Sequence, residues 1–371
     1  MTLLFLTGTR ADFGKLKSLI ALSRATDNID VHLFATGMHL QEKYGYTVLE
    51  IEKSGFDNII KFDNHTASHT MDLTLAKTIQ GFSAAVQQVQ PDLIIVHGDR
   101  VEALAGATVG ALSNIRVAHI EGGEISGTID ELIRHAVSKL SHLHLVSNEE
   151  AERRLVQMGE LPESVHVIGS PDVDTMFAAD LPSTAAALEY YDIPFDKYAI
   201  GMFHPVTTEV DNMEAHAQQF VDALLAVDQN FILIYPNNDL GCEHIFKAYE
   251  RLKGHQRFKI FPSLRFEYFL ALLKNAQLMV GNSSAGVREA PYYGIPTIDI
   301  GSRQTNRASG PSIINTSYDK DAIIAAFAKA QTLLCTPVNP FGNGDSAQRF
   351  VQLIQSGAIQ ALDQQKQFRD L

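Results

Sequence analysis

TLLFLTG at residues 2–8, FGKLKSLIALSRA at 13–25 and VHLFATG at 31–37 decide the fold class: an apolar run, an amphipathic stretch with helical spacing, and a second apolar run. The same rhythm continues through PDLIIVHGD (91–99), EALAGATVGALSN (102–114), RVAHIEGG (116–123), IDELIRHAVSKLS (129–141), HLHLVSN (142–148), a helix from Glu149 to Met158, and SVHVIGSP (164–171). Ser147 and Glu150 stand as a capping box before that last helix, and Gly159 closes it. Strands written as nearly unbroken Val, Ile and Leu runs are buried on both faces, which predicts a parallel sheet covered by helices.

Between Leu181 and Phe195 the strand signal stops, and Pro182 and Pro194 interrupt the chain. The rhythm restarts with YAIGMFHP (198–205) and runs through NFILIYPN (230–237), RFKIFPS (257–263), QLMVGNSS (277–284), PTIDIG (296–301) and PSIINT (311–316), ending in the helical AIIAAFAKAQTLL (322–334). The expectation is α/β architecture with two Rossmann-like domains and parallel sheets, 1–172 and 173–345, and a C-terminal helix within 346–371 crossing back to the first domain. A length of 371 residues suits two cores better than one.

Composition narrows the function. Hydrophobic residues make up 45% and charged residues 20%, the balance of a globular chain. A net charge of −13 argues against nucleic acid and anionic membranes as partners. A phosphorylated ligand then requires a local cluster of Arg, backbone N–H groups and helix N-termini. Cys242 and Cys335 lack metal-type spacing and fit a reducing compartment. MTLLFLTGTRADFG lacks the basic start of a signal peptide, and no run reaches membrane-spanning length, so a cytoplasmic location is expected.

In open parallel sheets ligands bind beyond the carboxyl ends of the strands. Those positions here are polar. GTRADFG (8–14) offers Arg10 to a phosphate, with Asp12 as helix cap being the plainer reading. HGDR places His97, Asp99 and Arg100 at one strand end, and HIEGGE places Glu121 and Glu124 at another. With Asp130 and Glu131 opening the next helix, the carboxylates read as an acid/base set, and Arg134, one turn on, would orient Asp130. Ser126 and Thr128 read as helix caps, His142 and His144 as polar positions of a half-buried strand, and His65 and His69 as solvated loop residues.

The second half contributes FHPVTTE (203–209), YPNND (235–239) and GNSSAGVREAP (281–291). Small residues at a helix start can cradle a diphosphate, Glu289 on the same short helix could take ribose hydroxyls, and Arg303 adds a cation; the alternative is a serine-capped helix ending at Gly294. No GK[ST], GxGxxG or GxSxG pattern is present at the expected places, which weakens ATP hydrolysis, NAD chemistry and serine hydrolysis.

Through GTRADFG, HGDR, HIEGGE with SGTIDELIRH, SKLSHLH, GSPDVD, HPVTTE and GNSSAGVREAP with GSRQ, the chain resembles the hydrolysing UDP-N-acetylglucosamine 2-epimerases. Ala11, Asp12 and Phe13 depart from the GTRPEAIK-like opening of the non-hydrolysing branch. The resemblance implies a glycosyltransferase-B-like fold closing on UDP. It also implies Asp99, Glu121 and Asp130 as catalytic carboxylates, His39 as a catalytic or sugar-contacting histidine, and Arg134 beside them. Arg10, Arg100, His204, Asn237, Ser283, Ser284, Glu289 and Arg303 match positions that hold UDP. The implied reaction converts UDP-N-acetylglucosamine and water to N-acetylmannosamine and UDP, opening sialic acid biosynthesis, with no cofactor or metal and with a homodimer or homotetramer. A UDP-2,4-diacetamido-2,4,6-trideoxy sugar as substrate, a glycosyltransferase, and a non-catalytic nucleotide-sugar sensor are the other readings.

Overall fold

The computed structural model describes residues 1–66, 70–126, 128–305, 310–367 and 369. The chain forms two compact units. The first comprises Met1–Glu124, Asp130–Ala179 and Phe341–Leu371; the second comprises Asp180–Pro340 with the short stretch Ile125–Ile129.

The first unit runs β1 (Thr2–Thr7), α1 (Arg10–Arg24), β2 (Asp30–Ala35), α2 (Val48–Lys53), β3 (Ile59–Lys61), α3 (Met71–Val89), β4 (Leu93–His97), α4 (Val101–Leu112), β5 (Arg116–Ile120), α5 (Ile129–Leu140), β6 (Leu143–Val146), α6 (Glu149–Gln157), β7 (Val165–Val167) and α7 (Pro171–Met176). Its seven strands lie in the order β3-β2-β1-β4-β5-β6-β7, and every neighbouring pair is parallel. Leu3, Leu4, Phe5 and Leu6 of β1 are all buried, as expected of a strand covered on both faces.

The second unit runs α8 (Thr184–Tyr190), β8 (Ala199–Met202), α9 (Met213–Ala226), β9 (Phe231–Ile234), α10 (Cys242–Tyr249), β10 (Phe258–Phe261), α11 (Phe266–Leu273), β11 (Met279–Gly281), β12 (Thr297–Ile300), β13 (Ile313–Thr316) and α12 (Lys320–Ala330). Six parallel strands are ordered β10-β9-β8-β11-β12-β13. In each sheet the chain works outward from its first strand and then returns to that strand's other side, creating a switch point at β1/β4 and at β8/β11. Such points are where open α/β sheets receive ligands.

The chain then returns to the first unit as α13 (Ser346–Gln355) and α14 (Ala358–Ala361). Ala347, Phe350, Val351, Ile354 and Ile359 join the core that contains Leu3, Phe5 and Leu16, so the C-terminal helix crosses back as expected. The expected boundaries shift. The first unit extends through Ala179, because α7 packs on α1. It resumes at Phe341, whose carbonyl accepts from Ser170 N–H at 2.7 Å.

Three local expectations need correction. Asn148, not Ser147, caps α6, accepting from Ala151 N–H, because the Ser147 hydroxyl is turned to Glu124 Oε1 at 2.9 Å. Thr9, not Asp12, is the side-chain cap of α1. β6 is buried throughout rather than half-buried: His142 accepts from Val117 N–H, and His144 Nε2 meets Glu160 Oε2 at 2.9 Å. His69 lies outside the described residues.

Candidate active site

The turn after β5 begins at Glu121, whose backbone is left-handed with φ 64°. A non-glycine residue held there is strained, and such strain persists where the surroundings over-determine it. Here Glu121 N–H donates to Leu145 O at 2.9 Å, and Ser170 donates its hydroxyl to Glu121 Oε1. Gly123 follows with φ 75°, where an added Cβ would lie 2.3 Å from Ala151 O, so this turn needs glycine.

His97 ends β4 facing that glutamate. Its Nε2 lies 3.1 Å from Glu121 Oε2, and its Nδ1 lies 2.8 Å from Asp12 Oδ1. Asp12 Oδ2 also accepts from Gly8 N–H at 3.0 Å. Burial works against charge on His97, but Glu121 and Asp12 outweigh it and raise its pKa to about 10. The loop beneath is fixed by His119 of β5, which donates from Nε2 to Gly98 O at 2.8 Å and takes a hydrogen bond from Ser138 at Nδ1. Burial lowers the His119 pKa to about 3, so its ring is neutral.

Asp99 is gripped by Arg134, an ion pair in which the arginine is only 1% exposed and the aspartate 22%. Arg134 also donates to Glu124 O at 3.1 Å. Against burial, Asp99, Glu124 and Asp130 together raise the arginine's pKa, so Asp130 shares the arginine's field with Asp99. Asp130 sits in the first turn of α5. Arg100 pairs with the buried Glu102 at 3.2 Å, and Arg10 approaches Glu50 at 3.7 Å.

His39 does not join this set. It is 0% exposed, with Nε2 3.1 Å from the Thr7 hydroxyl and Nδ1 2.8 Å from the Thr47 hydroxyl. Both ring nitrogens thus meet threonine hydroxyls, and the ring braces the β1 edge against α2. Burial lowers its pKa to about 4, with Arg10 adding and Asp12 opposing.

In the second unit, Gly281 ends β11 with φ 134°, where a Cβ would lie 2.0 Å from Met202 O. Glycine thus lets β11 meet β8 at the switch point. Asn282 follows, fully buried; its Oδ1 accepts from His204 N–H at 2.6 Å and its Nδ2 donates to His204 O at 2.9 Å. Its own carbonyl accepts from Gln304 at 2.9 Å and Arg303 at 3.4 Å. Asn237 N–H donates to His204 Nδ1 at 3.0 Å, fixing a neutral ring's proton on Nε2. Asn237 in turn donates to Asp239. Asn282 therefore ties together the exits of three strands, bringing His204, Ser283 and Arg303 to one edge.

The expected short helix after Asn282 is instead two single turns. Ser283 caps the first, Ser284–Gly286; the second, Ala290–Tyr293, follows the 2%-exposed Glu289 and ends at left-handed Gly294. His97 was marked by its place at a strand end, whereas Asn282 and Gln304 lay within the quoted motifs with nothing local to mark them. Asp299 was missed altogether: it lies inside PTIDIG, and burial, opposed by Arg303, raises its pKa to about 7.

Two parallel α/β units, each with polar groups gathered at its switch point, define a Rossmann-like protein. The family model described as UDP-N-acetylglucosamine 2-epimerase matches residues 21–355, and the chain belongs to that family. It is 48% identical to the UDP-N-acetylglucosamine 2-epimerase of Neisseria meningitidis serogroup B, over 100% of this chain and 99% of the relative. It is 33% identical to the hydrolyzing UDP-N,N'-diacetylbacillosamine 2-epimerase of Legionella pneumophila, over 95% of each. Among solved structures, that of Methanocaldococcus jannaschii UDP-GlcNAc 2-epimerase in complex with UDP-GlcNAc and UDP has a TM-score of 0.82 at 24% identity, covering 96% of this chain and 100% of that one. The expected glycosyltransferase-B-like fold is thus present. Among the described residues, no helix is long and apolar enough to cross a membrane.

Proposed function

We propose that the protein is a hydrolysing UDP-N-acetylglucosamine 2-epimerase that converts UDP-N-acetylglucosamine and water to N-acetylmannosamine and UDP, supplying the sugar for sialic acid synthesis. The observation that carries the reading is the strand-end carboxylate set: Glu121 held on His97 and Ser170, and Asp99 held on Arg134. Full-length likeness to the Neisseria enzyme supports the sugar; likeness to a relative named as hydrolyzing supports the release of UDP.

In this reaction one carboxylate takes the C-2 proton while the C-1–oxygen bond breaks, its electron pair leaving with UDP and a glycal remaining. A second carboxylic acid then delivers a proton to C-2 from the opposite face while water adds through oxygen at C-1, and the proton the water sheds returns to the carboxylate so formed. Asp99, Glu121 and Asp130 are the proton-transfer groups. Arg10, Arg100, His204, Asn237, Ser283, Ser284, Glu289 and Arg303 hold the nucleotide, and the cations among them stabilise the departing diphosphate.

Proton NMR of UDP-N-acetylglucosamine with the protein in deuterated buffer tests this directly. The expected products are UDP and N-acetylmannosamine carrying deuterium at C-2. Released UDP with the C-2 configuration retained refutes the epimerase, and unchanged substrate points to a sensor. The 33% likeness to the Legionella enzyme gives a second reading, a 2,4-diacetamido UDP-sugar as substrate. A rate comparison on both sugars decides between them, with the N-acetylglucosamine substrate expected to be faster.

A further inference from the structure

His97 ends β4 with its side chain 10% exposed, and it has no part in the proton-transfer set. Its Nδ1 is hydrogen-bonded to Asp12 Oδ1 at 2.8 Å, and its Nε2 lies at ion-pair distance, 3.1 Å, from Glu121 Oε2 without hydrogen-bond geometry. The other oxygens of those carboxylates are each met by a donor, Gly8 N–H on Asp12 and the Ser170 hydroxyl on Glu121. Those donors favour the ionised form of each carboxylate. Two ionised carboxylates at these distances favour a proton on each ring nitrogen, against burial. The titratable neighbours are Asp12 from α1, Glu121 from the turn after β5, and His119 on β5, whose ring is neutral.

We propose that His97 is a positioning residue, an imidazolium braced by Asp12 that fixes Glu121 as an ionised carboxylate in a single orientation for proton transfer. The inference rests on the reaction proposed above, and it makes Glu121 the group poised to accept a proton. Asp12 acts one step further back: it sets the ring plane, as the third member of a catalytic triad orients its histidine. The left-handed backbone at Glu121, φ 64°, aims the side chain at the ring.

Two measurements test the brace. Nitrogen-15 NMR of His97 in the full-length, ligand-free protein is expected to show both ring nitrogens protonated throughout the neutral range, and one proton lost in E121Q. A singly protonated wild-type ring overturns the proposal. In steady-state assays, H97Q is expected to lower kcat about 100-fold while leaving UDP affinity within about two-fold. Without the neighbouring cation the ionised carboxylate is less favoured, so the acid limb of the kcat profile should move to higher pH. A kcat loss with an unmoved acid limb would mean that His97 merely fills space, and would also overturn the proposal. Failure of wild-type protein to make N-acetylmannosamine defeats the functional reading alone, and the NMR measurement then decides the brace by itself.

Discussion

At the scale of single residues, position after a strand locates the acids in the fold, whereas the partners of the histidines are not written there. Asp99 and Glu121 follow β4 and β5, where chain order and apolar runs already locate them. His39 also follows a strand, yet its environment is two threonine hydroxyls, one of them 32 residues away in sequence. His97 acquires its meaning from Asp12, 85 residues earlier, a pairing that no local pattern contains. H39Q should distinguish bracing from sugar contact. Losing a buried ring that bonds both hydroxyls is expected to cost about 1–3 kcal/mol of stability in urea unfolding, with the KM for substrate nearly unchanged. The folded pKa of His39, about 4, lies below its unfolded value near 6.5. Its contribution to stability is therefore complete above about pH 6.5 and is lost as pH falls toward 4. The acid decline of the urea midpoint should be shallower in H39Q across that window; an unchanged decline together with a raised KM would favour the sugar-contact role.

At the scale of elements, what the sequence displays as apolar periodicity is legible, and what packing achieves by other means is not. The long strands of both sheets follow their Val, Ile and Leu runs. The stretch between β2 and β4 does not announce itself. β3 is three residues long and partly exposed, and the buried stripe of α3 is Thr78, Gly81, Phe82, Ala85 and Val86. Helical spacing is present, but Thr and Gly hide it; Gly81 stands there because the Phe62 ring lies where a Cβ would go, at 2.4 Å. The return of α13 was legible, whereas its anchor was not. Asp174 of α7 accepts from Ser346 N–H at 2.9 Å and Ala347 N–H at 2.7 Å, using both oxygens on the first turn of a helix 172 residues away. An end-capping acid typically contributes about 0.5–2 kcal/mol. D174A is therefore expected to lower stability by about 1–2 kcal/mol and to speed amide exchange in α13 selectively, with D174N intermediate. Unaltered exchange in α13 would show that apolar burial of Phe350 and Ile354 holds the helix unaided.

At the scale of the whole molecule, a net charge of −13 leaves no general attraction for an anion, so affinity must come from local groups. Arg10 and Arg100 follow the strands of the first unit's switch point, and His204, Ser284 and Arg303 follow those of the second. On the function proposed above, UDP stabilises the folded chain. Ligand present at about 100 times Kd adds about 2.7 kcal/mol, which for units of this size raises the thermal midpoint by about 5–10 °C. Scanning calorimetry with UDP should show that rise in the wild type and in D99N, because a proton-transfer group contributes little to holding the diphosphate. R10A and S284A should each lose most of it at the same UDP concentration. A full rise retained in R10A but abolished in S284A would assign the nucleotide grip to the second unit alone and leave Arg10 bound up with Glu50 as a structural pair.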